Sequence, residues 1–478
     1  LGTILIPRFR WLLLPTLLLA NPSFFYHLFL GEGMQTVMWE STRTIVNTIN
    51  EYPIFSFLWG DVHPHVMSIF NQVFLILLLV SAYRGWDRLE KTGQWLLIGL
   101  VALSLGSMPG INTWDVLIYA PVTLVFGLLI WRRYRRSDVL FDPAALRFLI
   151  AVPPLAVLSY LPFYLQLSSQ GIEGILLVPT PSEPLQFLLV HGFFLAVFFV
   201  YIGRDIVKRP YLALAVAPFL AFGYAAAAIA ALPLAFLAAR KEHTIPEIFA
   251  IAGLALSILC EILYFKDNMG DVYYRMNTVF KCYIPVWLMM SVGAFSMIGG
   301  YLERVKIPWR ILPVHRRALA VCAVAGLLVL PFALNINFGP GTHTLDGLAY
   351  LEGTNPGDAE AVRYLASLPV GDLIVEAEGG DYAYYSRIAS FSGIPGIVGQ
   401  PFHEYMWRGD TAEVMERAAD VRTIYEDPSR TLDLMNKYNA TLLYVGPTEN
   451  EHYHVDLPTE ELELVYDRSG VLIYRLPV

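Results

Sequence analysis

The chain has 478 residues, of which 56% are hydrophobic and only 15% charged, with a mean hydropathy of +0.50 and a net charge of −8. Ordinary soluble domains carry about 25% charged residues, so a wholly soluble enzyme and a disordered chain are excluded, and the acidic balance excludes a nucleic-acid binder. Cys260, Cys282 and Cys322 lie in apolar runs, which excludes a disulfide framework and a cysteine-based zinc site.

Charge is unevenly spread. Residues 336–478 hold 9 Lys and Arg against 23 Asp and Glu, a net of −14, which leaves +6 for residues 1–335. This is the pattern of a polytopic membrane part, 1–335, followed by an acidic α/β domain, 336–478, outside the cytoplasm. The opening Leu1–Pro7 has no Met and no start signal and reads as the middle of an apolar segment, so upstream sequence is expected.

A spanning helix takes about 20 mostly apolar residues. In chain order eleven segments qualify: 11–29, 66–83, 94–109, 113–131, 147–166, 186–203, 211–223, 224–239, 246–265, 277–299 and 318–335. Basic residues fall in alternate connections: Arg8 and Arg10; Arg84, Arg88 and Lys91; Arg132, Arg133, Arg135 and Arg136; Arg204, Lys208 and Arg209; Arg240 and Lys241; Arg304, Lys306, Arg310, Arg316 and Arg317. The positive-inside rule puts these in the cytoplasm. Reading 211–239 as two helices keeps every cluster on one side. The expected class is a multi-pass α-helical protein of the cell membrane, with its C-terminal domain outside.

Polar groups beside spanning helices are costly, which makes them functional candidates. The first outer loop runs Glu51-Tyr-Pro-Ile-Phe-Ser-Phe-Leu-Trp-Gly-Asp61-Val-His63-Pro-His65. Pro64 biases His63 to an extended backbone, and alternate residues of an extended segment project to one side. Asp61, His63 and His65 then form a unit suited to a divalent metal, general-base chemistry or a phosphate, with Glu51 as a second carboxylate. The competing reading is that Asp61 caps the helix entered at Val66. Asn112-Thr-Trp-Asp115 opens a later helix, with Asp115 as an outer-cavity acid or a first-turn charge.

A second outer group is Tyr273-Tyr274-Arg275-Met-Asn277-Thr-Val-Phe-Lys281. Asn277 and Lys281 share a helix face, and cations at this depth suit a lipid phosphate; the competing reading is snorkelling to the interface. In the acidic domain, helices are expected at 358–368, 411–425 and 429–438, and strands at 372–376, 441–446, 462–466 and 471–474. His403-Glu404-Tyr-Met-Trp407-Arg408 offers a surface for sugar or phosphate contact, or a packed domain edge.

The segments Tyr52–His65, Asn112–Asp115, Tyr273–Lys281, Trp407-Arg408, Asp420–Tyr425 and Tyr444–Glu449 resemble the YYY membrane-protein family, a domain of unknown function. That family in turn resembles the C-type glycosyltransferase (GT-C) superfamily. The resemblance implies many spanning helices, an outward-facing site and a sugar donor linked to a polyprenyl phosphate. The family's triple-Tyr motif and the superfamily's usual catalytic carboxylate belong upstream of the Asp-His-Pro-His segment. Leu1–Leu30 contains neither a Tyr triplet nor an Asp or Glu.

The expected activity is a membrane glycosyltransferase moving a sugar from the lipid-linked donor to an acceptor at the outer face. Asp61 and Glu51 are the catalytic candidates, and Asp61, His63 and His65 the candidate metal ligands. His63, His65, Asp115, Tyr273, Tyr274, Arg275, Asn277, Lys281, His403, Glu404, Trp407 and Arg408 are the candidate substrate contacts. The rival classes are a transporter or lipid flippase, which calls for midplane charges and repeated halves, and a structural assembly protein, which leaves the clustered His, Asp and Arg unexplained.

Overall fold

The computed structural model describes residues 1–60, 63–135, 142–167, 172–267, 269–304, 344, 346–408 and 411–477, with the backbone alone for Trp407 and Arg408. The expected span 318–335, most of the basic cluster after Arg304, and Asp61 lie outside the described residues. The chain divides into two units, whose described parts are residues 1–304 and 344–477.

Prolines set many helix starts in the first unit. Pro53, Pro64, Pro143 and Pro184 each open a helix, where the missing N–H goes unused and the fixed φ already suits the helix. Pro64 has a further effect. His63 before it is extended, at φ −84° and ψ 149°, and the helix Pro64–Gly85 starts at once. His65 therefore belongs to the first helical turn. The extended run expected up to His65 stops at His63, because proline favours the first helical position.

Six described helices are long and apolar enough to cross a membrane: Pro64–Arg88, Lys91–Ile111, Trp114–Tyr134, Pro184–Lys208, Ile245–Ile262 and Asp271–Arg304. The pair Pro7–Leu18 and Pro22–Phe29, bent by 63°, makes a seventh if it is one span. The expected count of eleven is not reached among the described residues. Segments 147–166, 211–223 and 224–239 become the shorter helices Pro143–Ser159, Pro210–Ala221 and Ala225–Ala238. At 1.5 Å per residue a 14-residue helix is about 21 Å long, short of a hydrocarbon core of about 30 Å. The break within 211–239 is real and falls at Gly223, whose φ of +82° ends the preceding helix. Segment 246–265 also stops early, at Ile262. Leu263–Lys266 (β2) instead pairs antiparallel with Gly174–Leu177 (β1).

The helix Met276–Arg304 is the axis of this unit, buried along most of its length. Close approach of the helix Ile245–Ile262 depends on small residues. A Cβ on Gly293 would lie 3.0 Å from the Pro246 carbonyl, and one on Gly253 would lie 2.7 Å from Met290. Membrane helices gain contact area at such small-residue positions, where two backbones can come close.

The second unit is a four-stranded sheet in the order β3-β4-β6-β5: Ile374–Val375 (β3), Leu442–Val445 (β4), Glu463–Arg468 (β5) and Val471–Arg475 (β6). β3 and β4 are parallel; β4–β6 and β5–β6 are antiparallel. Ser469 and Gly470, both at positive φ, turn the β5–β6 hairpin as a two-residue turn requires. One face packs Val375, Leu443 and Val445 against the helices Thr411–Glu426 and Thr431–Lys437. The other packs Ile374, Leu442 and Ile473 against Pro356–Ala366.

Arg387 is buried in this unit among three carboxylates. It bonds Asp358 (2.8 Å) and Glu449 (2.9 and 3.0 Å), and lies 3.7 Å from Glu376. Glu376 also accepts backbone N–H bonds from Ile388 (2.9 Å) and Ala389 (2.7 Å). Burial pushes its carboxyl up to about 7, against the pull of those N–H groups and of Arg387. A raised value means that the folded unit prefers the protonated acid. The stabilisation is full below the ordinary carboxylate range and is lost as pH rises through about 7. Thermal unfolding of the wild type and Glu376→Gln between about pH 5 and pH 8 should show the wild type losing ground to the variant as pH rises. A gap independent of pH would mean that the carboxyl is ionised throughout.

Candidate functional site

The helix Pro64–Gly85 carries His65, Ser68 and Gln72 at spacings of three and four, on one face. All three are buried and each meets a carboxylate. His65 Nε2 lies 3.0 Å from Glu51 Oε2, and the Ser56 hydroxyl donates to the same oxygen at 2.9 Å. Ser68 and Gln72 donate to Asp115 Oδ2, Gln72 at 2.9 Å, and Asn112 donates to Oδ1 at 2.7 Å. Tyr119 donates to Gln72 Oε1 at 3.0 Å and closes the network. Asp115 is wholly buried at the first turn of the helix Trp114–Tyr134.

Around this stripe stand the other imidazole and an ammonium. The His63 and His65 ring centroids are 4.9 Å apart, and both meet the edge or face of Phe280, at 5.3 and 4.7 Å. Lys281, 9% exposed, holds its Nζ 4.8 Å from the same ring and lies within electrostatic reach of Asp115. Glu51, His63, His65, Asp115 and Lys281, five of the residues singled out in the sequence, thus converge.

Electrostatics favour an ionised Glu51. Burial alone would raise its carboxyl. Hydrogen bonding and charge attraction from His65, the Ser56 hydroxyl and the Arg43 guanidinium outweigh that and hold it below the usual carboxylate range. An ionised carboxylate only accepts hydrogen bonds, so the proton between the pair sits on His65 Nε2. His65 Nδ1 is buried with no hydrogen-bond partner among the described residues, and in the neutral form of the ring it is the nitrogen that carries the lone pair.

Arg275 is placed elsewhere. It is buried 3.6 Å from Glu261 and donates to Ser182 at 2.9 Å. Glu261 is completed by the Ser182 N–H (2.9 Å), the Ser182 hydroxyl (2.8 Å) and Tyr283 (3.3 Å). The Arg275 charge is thus offset within the protein. Asn277 donates to Asp267 at 2.8 Å, Tyr274 donates to the Thr180 carbonyl at 3.1 Å, and Tyr273 is exposed. These residues tie the β1–β2 region to the start of the Met276–Arg304 helix.

In the second unit His403 pairs with Gln400 (3.1 Å) and Asp381 (3.8 Å), and Glu404 accepts the Gly399 N–H at 3.1 Å. The side chains of Trp407 and Arg408, like Asp61, are outside the description. No group of three His, Cys, Asp or Glu suited to a metal occurs among the described residues. The proposed metal set rests on Asp61 together with two imidazoles, one of which is already engaged by Glu51.

Sequence reasoning missed Ser56, Ser68, Gln72, Arg43 and Glu261. Two signals were present. The three-and-four spacing from His65 marks one helical face. A lone carboxylate such as Glu261 inside an apolar run demands a buried partner. Arg43 carried no comparable signal: its guanidinium lies 3.4 Å over the Trp39 ring and near Glu51, a placement set by the fold of the loop.

A family model described as an uncharacterized membrane protein family, DUF2298, matches residues 8–290, and the chain belongs to that family. The match fits the family resemblance carried by the motifs and takes in every residue of the Glu51–His65–Asp115–Lys281 cluster. No curated protein matches the chain. Family membership and the long apolar helices together make the chain a multi-pass membrane protein.

Each buried donor left without its acceptor costs about 1–3 kcal/mol. Asp115→Ala strands Ser68, Gln72 and Asn112, whereas Asp115→Asn keeps one acceptor oxygen. Thermal unfolding in lipid nanodiscs should show a large loss for Asp115→Ala and a clearly smaller one for Asp115→Asn. Equal, small losses would show that the network does not organise the helices.

Proposed function

We propose that this member of the family is a membrane glycosyltransferase that moves a sugar from a polyprenyl-phosphate-linked donor to an acceptor hydroxyl at the outer face. The observation that carries the reading is the Glu51–His65 pair, with Ser56 on the same carboxylate and an imidazole Nδ1 that has no hydrogen-bond partner among the described residues. A carboxylate fixing one ring nitrogen while the other holds a lone pair is the arrangement of a positioned general base.

In the proposed step His65 Nδ1 takes the proton of the acceptor hydroxyl as its oxygen bonds to the anomeric carbon. The bond from that carbon to the lipid-phosphate oxygen breaks, and the electron pair leaves with the phosphate. Glu51 holds the ring and stabilises the imidazolium that forms. Lys281 supplies positive charge for the departing phosphate and His63 a ring N–H donor, both placed against Phe280. Arg43 adds a cation on the Glu51 side. Asp61 remains a second catalytic candidate by its position in the sequence, two residues from His63. A divalent metal is not needed for this step.

General-base removal typically costs about 10²–10⁴-fold in rate. His65→Ala and Glu51→Gln should each lower kcat in that range, and the double variant should be little worse than either, because the pair acts as one unit. The measurement is transfer of labelled hexose from a polyprenyl-phosphate hexose by the protein in nanodiscs, with thermal unfolding as the folding control. Full activity in a folded His65→Ala overturns the reading. Movement of the donor across the bilayer without consumption of its sugar would favour a flippase.

Support for an outward second unit comes from the sequence alone, where the eleven expected segments together put every basic cluster on one side. Asp456 is exposed, whereas Cys260 and Cys282 are buried. Asp456→Cys should react with an impermeant thiol reagent in intact cells. Labelling only after lysis would reverse the orientation.

A further inference from the structure

At the carboxyl ends of the parallel strands β3 and β4, three segments of the second unit meet: Glu378–Tyr385, Gly399–His403 and His452–Tyr453. Backbone bonds fix them together, Gly379 N–H to the Gly399 carbonyl (3.1 Å) and Glu378 N–H to the Tyr453 hydroxyl (3.3 Å). A Cβ on Gly379 would lie 2.4 Å from the Tyr385 ring, so the chain passes close over that ring. Open α/β sheets place their ligands at this end of their strands.

Tyr382 is the unusual residue of this edge. Its φ is +55°, a left-handed conformation that is uncommon for a bulky side chain and carries backbone strain. The ring is 81% exposed and meets the His403 ring at 5.0 Å. Folding therefore gains little apolar burial from Tyr382 while bearing the strain of its backbone. An aromatic ring held out in this way is suited to a partner from outside.

The polar groups beside it define the partner's chemistry. Asp381 accepts the His403 N–H at 3.3 Å and lies 3.8 Å from its ring. Glu378 lies 3.9 Å from His452, whose Nδ1 faces the Tyr385 hydroxyl at 3.4 Å. The carboxylates Glu378, Asp381 and Glu404 repel an anionic ligand. Each already faces a donor of the protein, so none is left as a bare charge to attract a cation. Acceptor oxygens, imidazoles and an exposed ring together suit a neutral polyhydroxyl ligand, whose hydroxyls pair with the polar groups and whose C–H face lies on the ring.

We infer that this edge of the second unit is a binding site for a neutral saccharide, with Tyr382 as the stacking platform and His403 and Asp381 as hydroxyl partners. The site does not depend on the transfer reaction proposed for the first unit, because binding is read without turnover.

The test uses the full chain in nanodiscs, free of sugar-based detergent. Saturation-transfer NMR is recorded with neutral tetrasaccharides of mannose, glucose and N-acetylglucosamine, and with tetralysine as the cationic probe. Saccharide binding is expected, weakened about tenfold or more in Tyr382→Gly and in His403→Ala. Tyr382→Gly removes the left-handed strain, so its Tm should be equal to or above the wild type while binding is lost. A purely structural Tyr382 would give the opposite, a lower Tm with unchanged binding. Binding of tetralysine alone, or of none of the probes, overturns the proposal.

Discussion

A carboxylate with no access to water sits at the start of the helix Trp114–Tyr134, and the arrangement around it follows from the need to satisfy it. Asp115 receives Ser68, Gln72 and Asn112. A carboxyl buried without donors is costly, and here three donors meet it. The bonds also fix the rotation of the helix Pro64–Gly85 about its axis. With Ser68 and Gln72 turned to Asp115, His65 one turn earlier is turned toward Glu51. The Glu51–His65 pair is thus a geometric consequence of the bonds one and two turns below it.

The same accounting separates the cations. Arg275 is neutralised by Glu261 and held by Ser182, so its charge secures the protein's own structure. Lys281 shares the surroundings of Phe280 with both imidazoles. Arg43 reaches Glu51 from a loop, with its guanidinium over Trp39. A guanidinium over an indole face is attracted to the ring while keeping part of its donor set for other partners. The charges around the proposed reaction therefore come from three separate stretches of sequence.

The second unit divides its polar groups in a different way. Arg387 and its carboxylates are buried and mutually bonded within the fold. The residues beyond β3, from Glu378 to Tyr385, mix such internal bonds with an exposed ring. Strain at Tyr382 is tolerated because the surrounding loop is pinned by Gly379, Gly399 and Tyr453.

Local rules made much of this legible in the sequence. Apolar runs marked the long helices, a buried run ending at Gly446 marked β4, and two runs joined at Arg468-Ser-Gly470 marked the β5–β6 hairpin, because each depends on residues adjacent in the chain. Glu51, His63, His65, Asp115 and Lys281 stood out because polar groups in apolar surroundings are expensive wherever they occur. Pairing was not legible. That Arg275 is spent on Glu261, that Ser68 and Gln72 turn to Asp115, and that segments 147–166 and 224–239 form helices of 17 and 14 residues were decided by tertiary structure. A charge, a hydrogen bond and a helix length are each set by what lies across the interface, and that neighbour comes from a distant part of the chain.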